Sequence, residues 1–183
     1  VGRLLVARGV DIDDVDGYLN PTLKDLLPNP SVLQDMDKAA ARLSEAIQKG
    51  EKIAIFGDYD VDGATSSALL TRFFSAVSTP PRIYIPDRLK EGYGPTSDAM
   101  TLLAGEGARV VVTVDCGISS FDPLTVAKEA GLEVIVVDHH VAEATLPEAV
   151  AVINPNRLDE DGSLGHLAAV GVAFAGGSPP YCR

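Results

Sequence analysis

Cysteine is scarce in this chain: Cys116 and Cys182 are the only two, far apart and in no CxxC pair. Neither a zinc site nor a disulfide framework is indicated, and a reducing compartment fits. Long apolar runs are missing too, none approaching the roughly 20 residues that a bilayer span requires. The opening residues Val1 to Val10 lack the apolar region and cleavage site of a signal peptide. These absences point to a cytoplasmic location and no membrane partner. Positive charge is short as well, with 15 Lys and Arg against 26 Asp and Glu and a formal net charge of −11. Such an excess argues against a broad nonspecific nucleic-acid surface. It leaves room for a local basic groove, and bound divalent cations would offset part of it. The chain begins on Val1 and closes on GGSPPYCR, so both ends read as cut.

What is present is an ordinary globular composition, 46% hydrophobic and 22% charged over 183 residues, enough for one domain with a real core. Residues 1–30 mix short apolar clusters with acidic stretches. Helical pieces are expected at Leu4 to Arg8, Val15 to Leu19 and Leu23 to Leu27, broken by Pro21, Pro28 and Pro30. They read as an N-terminal helical cap without chemistry of its own. From Ser31 the spacing of Leu33, Met36, Ala39, Ala40, Leu43, Ala46 and Ile47 predicts a helix ending at Gly50. Lys49 and Lys52 near its end read as dipole complement or solvated face.

Strands and helices then alternate. Strands are expected at Ile53 to Phe56, Arg82 to Pro86, Arg109 to Val114, Glu133 to Val137 and Ala149 to Ile153. Helices are expected at Ala64 to Val77, Ser97 to Gly105, Asp122 to Gly131 and His166 to Phe174, with Gly176, Gly177, Pro179 and Pro180 stopping the last. The near-wholly apolar strands are of the kind buried in a parallel sheet. The fold class is α/β: a three-layer sandwich with a mainly parallel sheet flanked by helices, incomplete at the C-terminus.

The stretch KIAIFGDYDVDG carries the chemistry. An apolar strand stops on three alternate carboxylates, Asp58, Asp60 and Asp62, then on Gly63. Carboxylates this close repel one another unless a cation or shared protons offset the repulsion, and hard oxygen ligands suit Mg²⁺ or Mn²⁺. Alone, such a turn is as well explained as a solvated loop or a helix N-cap. Two more strands decide between these, since Arg109 to Val114 ends in Asp115 and Glu133 to Val137 ends in Asp138, His139 and His140. A parallel arrangement brings all three strand ends to one sheet edge, where ligands bind. Mixed carboxylate and imidazole ligation then becomes the favoured role of the histidines. Cys116 reads as a small buried residue. The loop DRLKEGYGP holds Arg88, Lys90 and Tyr93 beside two glycines. A turn accounts for the glycines, and a phosphate or base contact for Arg88 and Tyr93.

DYDVDG at 58–63, VDCGIS at 114–119 and DHH at 138–140 resemble the signature motifs of the DHH phosphoesterase superfamily. IPDRLKEGYG at 85–94, INPNR at 153–157 and AVGVAF at 169–174 look like its RecJ branch, the bacterial single-stranded-DNA-specific 5′ to 3′ exonucleases. The resemblance implies a two-metal phosphodiesterase, using Mn²⁺ or Mg²⁺, that acts in DNA repair and recombination. Asp60 and Asp62 would each hold a metal, supported by Asp58, and Asp115 would bridge both. His139 would be a ligand, Asp138 would orient or supplement the ligands, and His140 would contact the scissile phosphate. Arg88 and Tyr93 would lie near the DNA path. Single-stranded DNA is the implied partner, with a single-stranded-DNA-binding protein and a helicase as further ones.

The expected organisation is a helical cap (1–30), a partial DHH phosphoesterase domain (31–174) and an atypical tail (175–183). A further aspartate ligand, a DHHA1-type domain and an oligonucleotide-binding fold would follow in relatives and are absent here, so a catalytic-domain fragment with impaired activity is expected. Two alternatives stand beside this reading: a noncatalytic DHH-fold scaffold or nucleic-acid-binding module, and a phosphodiesterase of short oligonucleotides or cyclic dinucleotides, or a pyrophosphatase.

Overall fold

The structure is a computed structural model that describes residues 1–177. Five strands form one all-parallel sheet: β1 (Ile53–Gly57), β2 (Arg82–Tyr84), β3 (Val110–Val114), β4 (Glu133–Val137) and β5 (Ala151–Ile153), in the order β2-β1-β3-β4-β5. β1, β3 and β5 are buried at every position, and β4 at all but its first. That explains their continuous apolar sequence, since a parallel sheet is covered on both faces.

Helices α4 (Met36–Lys49), α5 (Val61–Ala76) and α8 (Ala169–Gly177) cover one face, packing Met36, Leu70, Phe74 and Val172 on Ile55, Val112 and Ile135. Helices α6 (Ser97–Gly105) and α7 (Phe121–Glu129) cover the other, packing Met100, Leu103 and Leu124 on Phe56, Val111 and Val136. The three-layer α/β sandwich expected from the sequence is therefore present.

Residues 1–30 hold three short α-helices, α1 (Gly2–Ala7), α2 (Val15–Leu19) and α3 (Leu23–Leu26), with a 3-10 turn at Ile12–Asp14. Leu5 is the one buried side chain described among them. No helix among the described residues is long and apolar enough to cross a membrane.

The boundaries differ from the sequence expectation for identifiable reasons. Residues Pro30–Val32 form a 3-10 turn, and Asp35 takes a left-handed conformation (φ 61°), so α4 begins at Met36 and not at Ser31. Leu33 is buried all the same. α5 begins at Val61, three residues earlier than expected, because the Asp60 side chain accepts from the backbone N–H groups of Asp62 and Gly63 (2.9 and 3.0 Å) and caps the helix. β2 is shortened to three residues at the sheet edge. β5 likewise begins only at Ala151. α8 (Ala169–Gly177) starts three residues later than expected and extends beyond the expected end at Phe174, so Gly176 lies inside it. Pro179, Pro180 and the rest of the tail lie outside the described residues.

Topology fixes where the polar strand ends meet. From β1 the chain moves out to β2 on one side and returns to β3 on the other, which makes the β1/β3 boundary the switch point where open α/β sheets bind ligands.

Candidate metal and phosphate site

Gly57, Val114, Val137 and Ile153 are register partners across β1, β3, β4 and β5. The next residue on each strand is therefore one row: Asp58, Asp115, Asp138 and Asn154. The ladder continues through that row, with Asp58 N donating to Val114 O (3.3 Å), Asp115 N to Val137 O (3.0 Å) and Asp138 N to Ile153 O (3.0 Å). All four side chains are buried, none more than 4% exposed. A row of buried polar groups on neighbouring strands is costly unless each is satisfied, and the four are satisfied very differently.

Asp138 is saturated. Its Oδ2 accepts from Ile118 N (3.0 Å), and its Oδ1 from His139 N (2.7 Å) and His140 N (3.1 Å), with His140 Nδ1 also at 2.7 Å. Asp58 Oδ1 and Asp115 Oδ1, by contrast, are buried without a hydrogen-bond partner. Asp115 Oδ1 lies 3.3 Å from His139 Nε2 without forming a hydrogen bond. One oxygen each of Asp58, Asp60 and Asp115 lie within 4.8 Å of one another, and ligand atoms of Asp115, His139 and His140 do the same. Asp115 belongs to both groups. It also sits at φ 62°, a strained backbone for a residue with a Cβ.

The electrostatics follow from this crowding. Burial, then its hydrogen bond to Asp60 and the charges of Asp60 and Asp62, push the Asp115 carboxyl up to about 7. Asp60 is held below its ordinary value, first by the Gly63 N–H it accepts from. Burial also raises Asp58. For His140, burial opposes the charged ring, yet the Asp138 hydrogen bond and the charges of Asp138, Asp115 and Asp58 outweigh it and raise the pKa. Orphaned buried carboxylate oxygens beside imidazole nitrogens fit a divalent cation, since hard oxygen with nitrogen donors suits Mn²⁺ and Mg²⁺ is content with the oxygens.

Asp62 is adjacent but engaged. Its Oδ2 lies 3.7 Å from His139 Nε2, while its two oxygens accept from Ala169 N (3.2 Å) and Val170 N (3.1 Å) at the start of α8. Tyr93 donates to Asp115 O (3.1 Å), and its hydroxyl lies 3.4 Å from His140 Nδ1. Burial and the charge of Asp138 hold its phenol well above the usual range, so it stays a proton donor. Arg88 places its guanidinium 5.2 Å from the centre of the Tyr59 ring, and its charge reaches Asp58. Glu91 ties this loop down, accepting from Tyr84 Oη (2.5 Å) and Asp87 N (2.7 Å).

Asp58, Asp60, Asp62, Asp115, Asp138, His139, His140 and Tyr93 thus border one strand-end cluster, whereas Arg88 stands beside it over Tyr59 and Lys90 pairs with Asp87 at the surface. Two were missed, Asn154 and Asn156, which donate to His140 O (2.8 Å) and His139 O (2.5 Å). The signal for Asn154 was available: it too follows an apolar strand, β5.

A pH dependence follows. With its folded pKa raised above the unfolded 3.8, Asp115 lends the metal-free fold stability that is full below about 4 and lost as pH rises through about 7. Melting temperatures of the metal-free chain should fall between about pH 5.5 and 8. Mn²⁺ should restore more stability at about pH 8 than at about pH 5.5, where it competes with a bound proton. A rescue independent of pH would contradict the Asp115 assignment.

A parallel sheet with carboxylates and imidazoles converging on its switch point defines an α/β domain of the kind that gathers divalent cations at strand ends. The chain belongs to the DHH family, whose N-terminal domain matches residues 52–176. It is 39% identical over 174 residues to the single-stranded-DNA-specific exonuclease RecJ of Bacillus subtilis strain 168, covering 95% of this chain and 22% of that protein. It superposes on a structure of exonuclease RecJ bound to manganese with a TM-score of 0.72 at 37% identity, covering 79% of this chain and 37% of the other. RecJ of Thermus thermophilus in complex with Mn²⁺ gives a TM-score of 0.74 at 30% identity, covering 94% of this chain and 23% of the other. The chain therefore spans well under half the length of these relatives.

Proposed function

We propose that this chain is the metal-binding catalytic core of a RecJ-type, single-stranded-DNA-specific 5′ to 3′ exonuclease, a phosphodiesterase of DNA repair and recombination. The pair of buried, partnerless oxygens on Asp58 and Asp115 beside His139 carries this reading. The 39% identity to a single-stranded-DNA-specific exonuclease supports the preference for single-stranded DNA.

Asp60, Asp62 and His139 would hold two Mn²⁺ or Mg²⁺ ions with Asp115 shared between them and Asp58 in support. When bound, two such cations activate water and stabilise the leaving oxygen of a phosphodiester. The chain's own residues orient the substrate. Asp138 fixes the His140 ring through Nδ1 and favours its charged form, leaving Nε2 to donate to a nonbridging phosphate oxygen. Tyr93 braces that ring edge-on and holds the Asp115 carbonyl. Arg88, poised over Tyr59, offers a cation and a ring face to a strand whose bases are unpaired.

The cap (1–30), the domain (31–174) and a cytoplasmic setting belong to the same proposal. So do a single-stranded-DNA-binding protein and a helicase as partners.

The test uses a protein that carries this domain at the full length of its relatives. Mn²⁺-dependent release of mononucleotides from the 5′ end of single-stranded DNA is expected. Duplex DNA, cyclic dinucleotides and pyrophosphate should be left intact, and Asp60→Ala and His139→Ala should abolish turnover. Turnover retained in either variant would contradict the site. Faster hydrolysis of dinucleotides would contradict the substrate. Arg88→Ala is expected to weaken single-strand affinity roughly tenfold, the scale of one lost stacking or phosphate contact, with Mn²⁺ affinity unchanged.

A further inference from the structure

His139 and His140 stand in a stretch without regular structure, since no strand or helix lies between β4 and β5. Their rings nevertheless lie 4.8 Å apart at a defined 58° tilt, one facing Asp115 and the other Asp138. Something other than secondary structure must set that backbone.

Each of its polar groups is accounted for. The N–H groups of His139 and His140 donate to Asp138 Oδ1. Their carbonyls accept from Asn156 Nδ2 (2.5 Å) and Asn154 Nδ2 (2.8 Å). Asn154 is fully buried, and its Oδ1 accepts from Asn156 N (2.8 Å), so the two residues are locked to each other. Behind them Arg157 donates to Val152 O (2.6 Å) and Asp35 Oδ2 (3.1 Å), and Val152 N also donates to Asp35 Oδ2 (3.1 Å). The bracket is thereby anchored to the start of α4.

We propose that Asn154 and Asn156 are positioning residues that hold the His139 and His140 carbonyls and so set the aim of both imidazoles in the strand-end cluster. This rests on the reading of that cluster as a cation and phosphate site. Neither asparagine needs to touch a ligand. Outer-shell partners of ligating groups fix ring orientation, and losing one costs about 10- to 100-fold in metal affinity.

The experiment uses the 183-residue chain and two readouts: proton–nitrogen spectra of the imidazole rings without metal, and calorimetric titration with Mn²⁺. Asn156→Leu keeps the branched shape and removes the donor to His139, while Asn154→Leu removes the donor to His140. The ring signals of His139 should move in the first variant and those of His140 in the second. Mn²⁺ affinity should fall about tenfold in Asn156→Leu with melting little changed, and Asn156→Gln, which keeps a donor, should recover most of it. Asn156 is only half-buried, so its variant tests the idea even if the Asn154 variant fails to fold. Unmoved His139 signals in folded Asn156→Leu would overturn the proposal. A wild-type chain that binds no Mn²⁺ would instead overturn the metal reading, and the metal-free ring signals would still decide the positioning role.

Discussion

Asp115→Asn is expected to make the metal-free chain more stable while removing its response to Mn²⁺. Asp115 is 2% exposed, carries an oxygen with no partner, and is pushed up to about 7 by burial and by Asp60 and Asp62. At about pH 8 most molecules must therefore keep an unfavourable buried charge. The neutral amide has the same shape and tolerates the left-handed backbone at φ 62° as well as aspartate does. Removing that buried charge is worth on the order of 1 to 3 kcal/mol, one pKa unit corresponding to about 1.4 kcal/mol. For a chain of this size that is about 2 to 4 °C of melting temperature per kcal/mol. Melting curves at that pH with and without Mn²⁺ check both halves. A destabilised Asp115→Asn chain, or one that Mn²⁺ still protects, would show that the cluster is not built around this carboxylate.

Gly63→Ala carries the largest expected loss of stability. In most exposed helix positions this change gains up to about 1 kcal/mol. Here the added Cβ would lie 2.4, 2.6 and 2.7 Å from the backbone O, N and C of Asp58. Neither backbone can yield without breaking the β1–β3 ladder or the Asp60 cap, so a cost of about 3 kcal/mol or more is expected. Asp58 is displaced in the process, so cation affinity should fall together with stability. Urea unfolding gives the first number and Mn²⁺ titration the second. A midpoint equal to that of the unsubstituted chain would mean that α5 does not press on the strand end as described.

How much of this was legible in the sequence varies with the signal. Buried parallel strands announce themselves as apolar runs, and a charged residue closing such a run is conspicuous. Asp58, Asp115 and Asp138 are thus assignable to one sheet edge before any coordinates. Asn154 occupies the same row and also closes an expected apolar strand, but an asparagine before a proline reads as an ordinary turn.

The start of α5 departs from the sequence expectation because one side chain does two things. Asp60 reads as a ligand in a turn, and its capping bonds put Val61 and Asp62 inside the helix. The bond from Asp62 to the α8 amides joins residues 107 and 108 positions apart, for which local sequence holds no signal. α4 starts later than the periodicity suggests because Leu33 fits the helical spacing, although its burial comes from the 3-10 turn and Asp35 interrupts the helix.

Calorimetric titration of Mn²⁺ into the 183-residue chain tests most directly whether Asp115 centres a divalent-cation site. Two groups of ligand atoms share this carboxylate. The expected result is therefore two ions bound per chain above the Asp115 pKa of about 7, with both lost in Asp115→Asn. Absence of binding, or binding that survives in Asp115→Asn, would contradict it.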